Sequence, residues 1–173
     1  LDEQVLECGT HAPRRDKDKA LLIENGLSPG PAHNNCSGKH CGFLSSAKFL
    51  GESVAGYINR SHPVQQAVLD LVGDMTGVSL VGRPGGIDGC GIPVVGIPLE
   101  SLAFAFARFA TGAGFSPARQ LAANRIYHAM IREPFTVAGT GRWCTRAMEA
   151  GGGAFIVKTG AEGVYCGAIP QAG

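Results

Sequence analysis

A helix begins within the stretch His33-Asn34-Asn35-Cys36-Ser37-Gly38-Lys39-His40. Asn34 and Asn35 are good capping residues, and the pattern that follows predicts a helix from Ser37 to Leu50 that ends at Gly51. The stretch also carries a thiol, an amine and an imidazole. On a helix, Cys36 and His40 would lie one turn apart on the same face, in the i, i+4 relation.

A second cysteine of interest stands in Ile87-Asp88-Gly89-Cys90-Gly91, where the flanking glycines predict a turn that a ligand can approach closely. Two thiols and a nitrogen donor supply three of the four ligands that zinc usually takes, and they leave one position for water or substrate. Zinc chemistry alone selects Cys36, His40 and Cys90. The alternative is that both cysteines are small buried core residues, as free cysteines often are. The spacing leaves both interpretations open.

Composition excludes several classes of protein. The 173 residues are 45% hydrophobic and 17% charged, which is typical of one globular domain. A net charge of +1 gives no electrostatic reason to expect nucleic acid or an anionic membrane as a partner, and no apolar run approaches the ~20 residues that span a bilayer. Six cysteines without an export signal indicate reduced thiols and a cytoplasmic protein.

Hydrophobic periodicity predicts a mostly helical α+β chain with a few short strands. In addition to the helix at Ser37, four more helices are predicted. The one at Leu99 is apolar enough on all sides to be buried. They are Asp16–Asn25, Pro63 to before Gly77, Leu99–Ala110 and Pro117–Arg132. Short strands are predicted at Leu80-Val81, Val94-Val95, Ala154–Lys158 and Val164–Ala168, with turns at Gly85-Gly86 and at 151–153.

Both ends of the chain suggest a piece of a longer protein. Leu1-Asp2-Glu3-Gln4 has the composition of the middle of a polar helix without a cap. Gly163–Pro170 has the pattern of a strand that enters a larger sheet, and a lone hairpin is barely stable in water. We therefore expect residues 1–173 to form a single partial domain.

Two short motifs match those of penicillin-recognising enzymes. Ser45-Ser46-Ala47-Lys48 has the Ser-x-x-Lys spacing, but it lies in the middle of a helix among small residues, where chance matches are common. Lys158-Thr159-Gly160 is better placed, because it ends a β-rich run and precedes a glycine turn. The alternative for Lys158 is an ordinary lysine at the end of a strand.

Four long motifs occur in order along nearly the whole chain: Asn34–His40, Gly86–Pro93, Ala138–Arg142 and Lys158–Val164. Together they resemble the Rhizobium-type L-asparaginases, the asparaginase II family. The resemblance implies a fold like that of glutaminases and serine β-lactamases. It also implies zinc held by Cys36, Lys39 and Cys90, so that His40 becomes a neighbour of the metal instead of a ligand. A neutral lysine amine can bind a metal, at the cost of a strongly lowered pKa.

The resemblance further implies hydrolysis of L-asparagine to L-aspartate and ammonia through a serine acyl-enzyme. Lys158 would then keep the nucleophile network charged. His40 and Asp88 would fix the geometry of the metal ligands, and Cys144 would line the same cavity. The full-length parent would be a homodimer.

The same resemblance shows which family motifs these 173 residues lack. The nucleophile segment Arg-Ser-Ser-x-x-Lys-Pro does not occur in them, and neither does Ser-His-Ser-Gly-Glu. We therefore expect this chain to be inactive when expressed alone. The competing interpretation is a non-enzymatic helical zinc-binding module or a decayed remnant.

Overall fold

A computed structural model describes residues 2–172. The chain packs into two compact units. The first is built from the residues up to Val72 together with Ser79–Gly96, and the second from Gly73–Val78 together with the residues from Ile97 onward. The prediction of a single domain stays a prediction.

Helices and one hairpin make up the first unit. Its helices are α1 (Asp16–Glu24), α2 (Ser37–Leu50) and the first turns of α3 (Pro63–Thr76). The hairpin is antiparallel and joins β1 (Gly85–Ile87) to β2 (Pro93–Val95), with Gly86 opposite Val94.

The core of the first unit forms against one face of α2. Phe43, Leu44 and Ala47 point from that face into a buried cluster, at the spacing expected of an amphipathic helix. The cluster is completed from outside α2 by Cys8, Tyr57, Val64, Cys90 and Ile92. Gly51 ends α2 with a left-handed φ of 75°, which only glycine adopts without strain. The core therefore holds Cys90 against the helix that starts at Ser37.

The second unit combines four helices with a second hairpin. The helices are α4 (Leu99–Thr111), α5 (Pro117–Arg132), α6 (Pro134–Ala138) and α7 (Trp143–Ala150). Strands β3 (Ile156–Thr159) and β4 (Tyr165–Ala168) pair antiparallel, with Lys158 opposite Cys166. The core of this unit contains Tyr127, Cys144, Met148, Ile156 and Ala168.

The predicted α+β class is confirmed, since helices dominate and the strands of both hairpins are short and antiparallel. The kinship with serine β-lactamases and glutaminases stays a prediction. Among the residues described, no helix has both the length and the apolar content to cross a bilayer.

The buried helix predicted at Leu99–Ala110 is wrong in its burial. Only Ala105 of α4 is buried, while Leu99 and Phe104 are 74% and 52% exposed. The apolar composition of α4 is real, but α5 and β4 cover only part of its surface. Composition cannot show which sides of a helix find a neighbour.

The strand predictions needed other corrections. Leu80-Val81 forms no strand, and Gly85-Gly86 lies in β1 although the glycine pair predicted a turn. Glycine is required at position 85 because a Cβ there would lie 2.5 Å from the Val94 carbonyl oxygen of the paired strand. The sequence patterns do not predict helices α6 and α7.

The beginning of the chain also differs from expectation. Glu3–Val5 forms a short 3₁₀ turn, and the Asp2 side chain caps it by accepting a hydrogen bond from the Gln4 N–H. The predicted uncapped α-helix at residues 1–4 is therefore wrong for Asp2–Gln4, and Leu1 lies outside the described residues.

Candidate metal centre

Side chains from α2 and from the β1–β2 hairpin come together in the first unit. Lys39 Nζ lies 3.3 Å from Cys90 Sγ, although the two residues are 51 positions apart in sequence. It also lies 3.3 Å from Asp88 Oδ2. One donor atom each of Cys36, Asp88 and Cys90 lies within 4.8 Å of the others. Two thiols, a carboxylate and an amine thus share one small volume.

The hairpin turn presents Cys90 through local backbone bonds. The Asp88 N–H donates to the Ile92 carbonyl at 2.8 Å, and the Gly91 N–H donates to the Asp88 carbonyl at 2.8 Å. Gly91 has a φ of 91°, so the turn depends on glycine there. The Asp88 Oδ1 accepts from the Gly89 N–H at 2.8 Å. The turn therefore holds the carboxylate of Asp88 beside the thiol of Cys90.

Burial separates the two cysteines from the charged pair. Cys90 is 4% exposed and belongs to the core, and Cys36 is half-buried at the cap of α2. The side chains of Lys39 and Asp88 are 38% and 36% exposed. An ion pair this open to solvent stabilises the fold by at most ~1 kcal/mol. The Lys39–Asp88 ion pair therefore contributes little to the stability of the fold.

Charges and burial determine the protonation of this cluster in the metal-free chain. Burial opposes the charge on Lys39, but the Cys90 sulfur, Cys36 and Asp88 together raise the pKa of its ammonium. Burial, and then the hydrogen bond to Asp88, raise the pKa of the Cys90 thiol. The hydrogen bond from that thiol, helped by the Gly89 N–H and Lys39, lowers the pKa of the Asp88 carboxyl. A metal that binds here must displace protons from the thiols, and from Lys39 if the amine becomes a ligand.

The donor set fits zinc, which takes thiolates, nitrogen donors and carboxylates at short range. Two sets are compatible with the geometry. One is Cys36, Lys39 and Cys90, and the other replaces the amine with the Asp88 carboxylate. Sequence reasoning gave Asp88 only a supporting role. The spacing of Asp88 and Cys90, two residues apart in a glycine turn, could have suggested it as a ligand.

His40 points away from these donors into the core. It is fully buried, and its Nδ1 lies 2.7 Å from the Tyr57 hydroxyl. That hydroxyl oxygen accepts a hydrogen bond from the Glu7 N–H at 2.9 Å, so its own proton is available for His40 Nδ1. When the Tyr57 hydroxyl donates this proton to Nδ1, the neutral imidazole carries its own hydrogen on Nε2.

Two atoms near this chain of hydrogen bonds are buried without a partner among the residues described, namely His40 Nε2 and Glu7 Oε2. The other Glu7 oxygen accepts from the Gly56 N–H at 2.7 Å. Buried polar atoms are usually paired, so these two are exceptions among the residues described. His40 is thus a neighbour of the cluster and not part of the close donor group.

Burial of His40 predicts a pH-dependent stability for the protein after treatment with a chelator. Burial, and then the nearby Lys39 charge, lower the pKa of His40 in the folded state. The unfolded chain takes up this proton near pH 6.5, before the folded chain does. We therefore expect the free energy of unfolding to be highest above pH 6.5 and to fall as the pH drops below it.

Denaturant unfolding between about pH 7.5 and pH 5, a range around the unperturbed histidine pKa, measures this slope. His40→Gln should flatten it, and His11→Gln is the control in the same unit, since His11 makes no side-chain hydrogen bond among the described residues. An unchanged slope in His40→Gln would show that the imidazole is not its source.

The other predicted site residues lie in the second unit. Lys158 is exposed on β3, and its Nζ donates to the Thr159 carbonyl at 2.6 Å. Cys144 is 1% exposed and lines a cavity of about 150 Å³ together with Arg142, Trp143 and Thr159. Their roles stay predictions. The Ser45 and Lys48 pair lies on the exposed face of α2, with no hydrogen bond between the two side chains among the described residues.

Comparison with known proteins places this chain in a family. It belongs to the L-asparaginase II family, whose model matches residues 1–173. The family name indicates an asparaginase-type amidohydrolase that acts on a small molecule. A search of curated proteins gave no match.

Proposed function

We propose that the protein acts in the hydrolysis of L-asparagine to L-aspartate and ammonia, with a zinc site at Cys36, Lys39 and Cys90. The observation that carries this proposal is the close grouping of two thiols, an amine and a carboxylate in a chain of the L-asparaginase II family. When bound, zinc would act as a Lewis acid that lowers the pKa of a water molecule and orients the charged groups of the substrate.

The chain's own side chains divide the remaining work. Asp88 holds Lys39 at 3.3 Å and accepts from the Cys90 thiol at 3.1 Å, so it orients two of the proposed ligands. Once Cys90 has lost its proton it can no longer donate to Asp88, so the carboxylate would then orient Lys39 alone, through an N–H that the amine keeps. His40 would support α2 from the core side through its bond to Tyr57.

The covalent step would belong to a serine hydroxyl. Its attack on the side-chain amide forms an acyl ester and releases ammonia, and water then hydrolyses the ester to aspartate. Lys158 would supply a positive charge near this network, and Cys144 would line the cavity. A cytoplasmic location fits the cysteines, which are all free. A homodimer and kinship with serine β-lactamases are part of the same proposal.

A zinc-binding module without catalysis is the competing proposal. In this proposal the same cluster binds zinc, and the protein turns over no substrate. Both proposals expect the same metal cluster, so only turnover separates them.

Ammonia release from asparagine is the deciding measurement. We expect none above background from the 173-residue chain, because covalent catalysis depends jointly on its parts and half a site gives little activity. A chimera that joins a relative's Arg-Ser-Ser-x-x-Lys-Pro segment and final strands to these 173 residues should release ammonia and aspartate in equal amounts. Lys158→Ala in that chimera should lower the rate.

Ser45→Ala is the matched control, and it should leave the rate of the chimera unchanged. A folded, zinc-loaded chimera without turnover would favour the non-catalytic module. Activity of the 173-residue chain that Ser45→Ala abolishes would make Ser45 the nucleophile and overturn our assignment.

A further inference from the structure

The Asn34 side chain is hydrogen-bonded to the backbone of Cys36 and to the backbone of Cys8 and Gly9. Its Oδ1 accepts a hydrogen bond from the Cys36 N–H at 2.8 Å. Its Nδ2 donates to the Cys8 carbonyl at 2.6 Å and to the Gly9 carbonyl at 3.1 Å. The residue is 7% exposed. A buried amide that makes all these bonds is a fixed part of the structure.

These bonds join the start of α2 to a separate stretch of chain. Cys36 caps α2, and its own carbonyl accepts from the His40 N–H at 3.0 Å. The Asn34 carbonyl in turn accepts from the Ser37 N–H at 2.9 Å. Cys8 is buried in the same core that holds Cys90. The backbone of Cys36 is thus held in register with the core on which Cys90 lies.

We propose that Asn34 is a positioning residue that sets the Cys36 sulfur at bonding distance from a metal held by Cys90. This inference rests on the proposed zinc site and deepens it. A free backbone at Cys36 could swing the thiol away, because the residue lies just before the first turn of α2. The Oδ1 of Asn34 restrains the Cys36 backbone by accepting from its N–H. The Nδ2 of Asn34 holds the side-chain amide in place through its bonds to Cys8 and Gly9.

The chemistry of the amide explains why substitutions at position 34 differ. Alanine loses every one of these side-chain bonds. Serine has a hydroxyl that can accept from the backbone N–H two residues on, so it keeps the bond to Cys36 but loses those to Cys8 and Gly9. Asn35 supplies a matched control, because it is the same residue type, is exposed and makes no side-chain hydrogen bond among the described residues.

Cobalt(II) titration of the 173-residue chain tests the proposal, with the thiolate-to-cobalt absorbance as the signal. We expect Asn34→Ala to weaken cobalt binding about 10–100-fold, the usual effect of removing support from a metal ligand. Asn34→Ser should recover most of the affinity, and Asn35→Ala should match the parent. Thermal unfolding without metal is measured for every variant, because alanine and serine lose the same bonds to Cys8 and Gly9.

Equal weakening in the alanine and serine variants, in step with equal losses of stability, would reduce Asn34 to a structural role and overturn the proposal. Parent-like affinity in Asn34→Ala would overturn it as well. If Asn34→Ala does not fold, the comparison of serine with the parent and with Asn35→Ala decides: affinity well below both overturns the proposal.

Failure of the zinc site itself is recognised separately. If the parent chain gives no cobalt signal, the proposed metal site is wrong. Amide hydrogen exchange of the Cys36 N–H then still reports on Asn34. We expect faster exchange in Asn34→Ala than in Asn35→Ala, and equal rates would show that Asn34 does not fix Cys36.

Discussion

Cys90→Ser should abolish the retention of zinc by the purified protein. A serine hydroxyl does not ionise at neutral pH, so it cannot replace the thiolate that zinc prefers. The Cys90 sulfur also accepts a hydrogen bond from Lys39 and donates one to Asp88, so its loss removes the contact that these two side chains share. The measurement is zinc per chain by elemental analysis after gel filtration, and Cys36→Ser should give the same result.

Cys41→Ser is the matched control, since Cys41 is an exposed thiol on α2, the helix that begins directly after Cys36. It should keep the zinc content of the parent. His40→Ala should keep most zinc, with affinity about 10–100-fold weaker, as is usual when a neighbour of a ligand is removed. If His40→Ala loses all zinc and Lys39→Ala loses none, the ligand set is Cys36, His40 and Cys90, and the set implied by the family resemblance is wrong.

Asp88→Asn separates the two donor sets that the geometry allows. The amide keeps the shape of the side chain but is a far weaker metal ligand than a carboxylate. With Lys39 as the ligand, Asp88→Asn should weaken zinc binding and Lys39→Ala should remove it. Loss of zinc in Asp88→Asn, with only weaker binding in Lys39→Ala, would make Asp88 the third ligand.

Tyr57→Ala should lower the free energy of unfolding of the first unit by about 3–5 kcal/mol, the usual cost of deleting a buried aromatic ring. Tyr57 is 0% exposed and belongs to the core that packs on α2. Tyr57→Phe should cost about 1–3 kcal/mol, because the Glu7 N–H and His40 Nδ1 then lose their common partner inside the protein.

Urea unfolding followed by circular dichroism measures both changes. Phe49→Ala is the control in the same unit: Phe49 is 90% exposed on α2, and its removal should change stability by no more than ~0.5 kcal/mol. If Tyr57→Phe leaves the free energy of unfolding unchanged, the hydroxyl is not needed in the buried network. The basis for placing the His40 hydrogen on Nε2 is then lost as well.

Local signals in the sequence were reliable where a residue acts on its own neighbours. Gly51 gave the end of α2, because a C-cap acts within one turn. Proline at the first position located the starts of α3 and α5 for the same reason. The start at Ser37 was also predicted, but the N-cap is Cys36 without a side-chain cap bond, and Asn34 bonds to the Cys36 N–H instead of capping the helix. The turn predicted at Gly85-Gly86 was wrong. Gly85 is needed for the close approach of two paired strands, a contact that no local pattern contains.

The sequence by itself determined the bounds of α1 to α5 to within one residue, the α+β class and the residue types that can bind a metal. Family motifs added the choice of Lys39 over His40. Only the tertiary structure decided that Lys39, Asp88 and Cys90 meet, that His40 faces Tyr57, and that Asn34 joins Cys36 to Cys8. Caps and turns depend on bonds within a few residues, whereas these contacts join parts of the chain up to 51 positions apart and exist only after the core has formed.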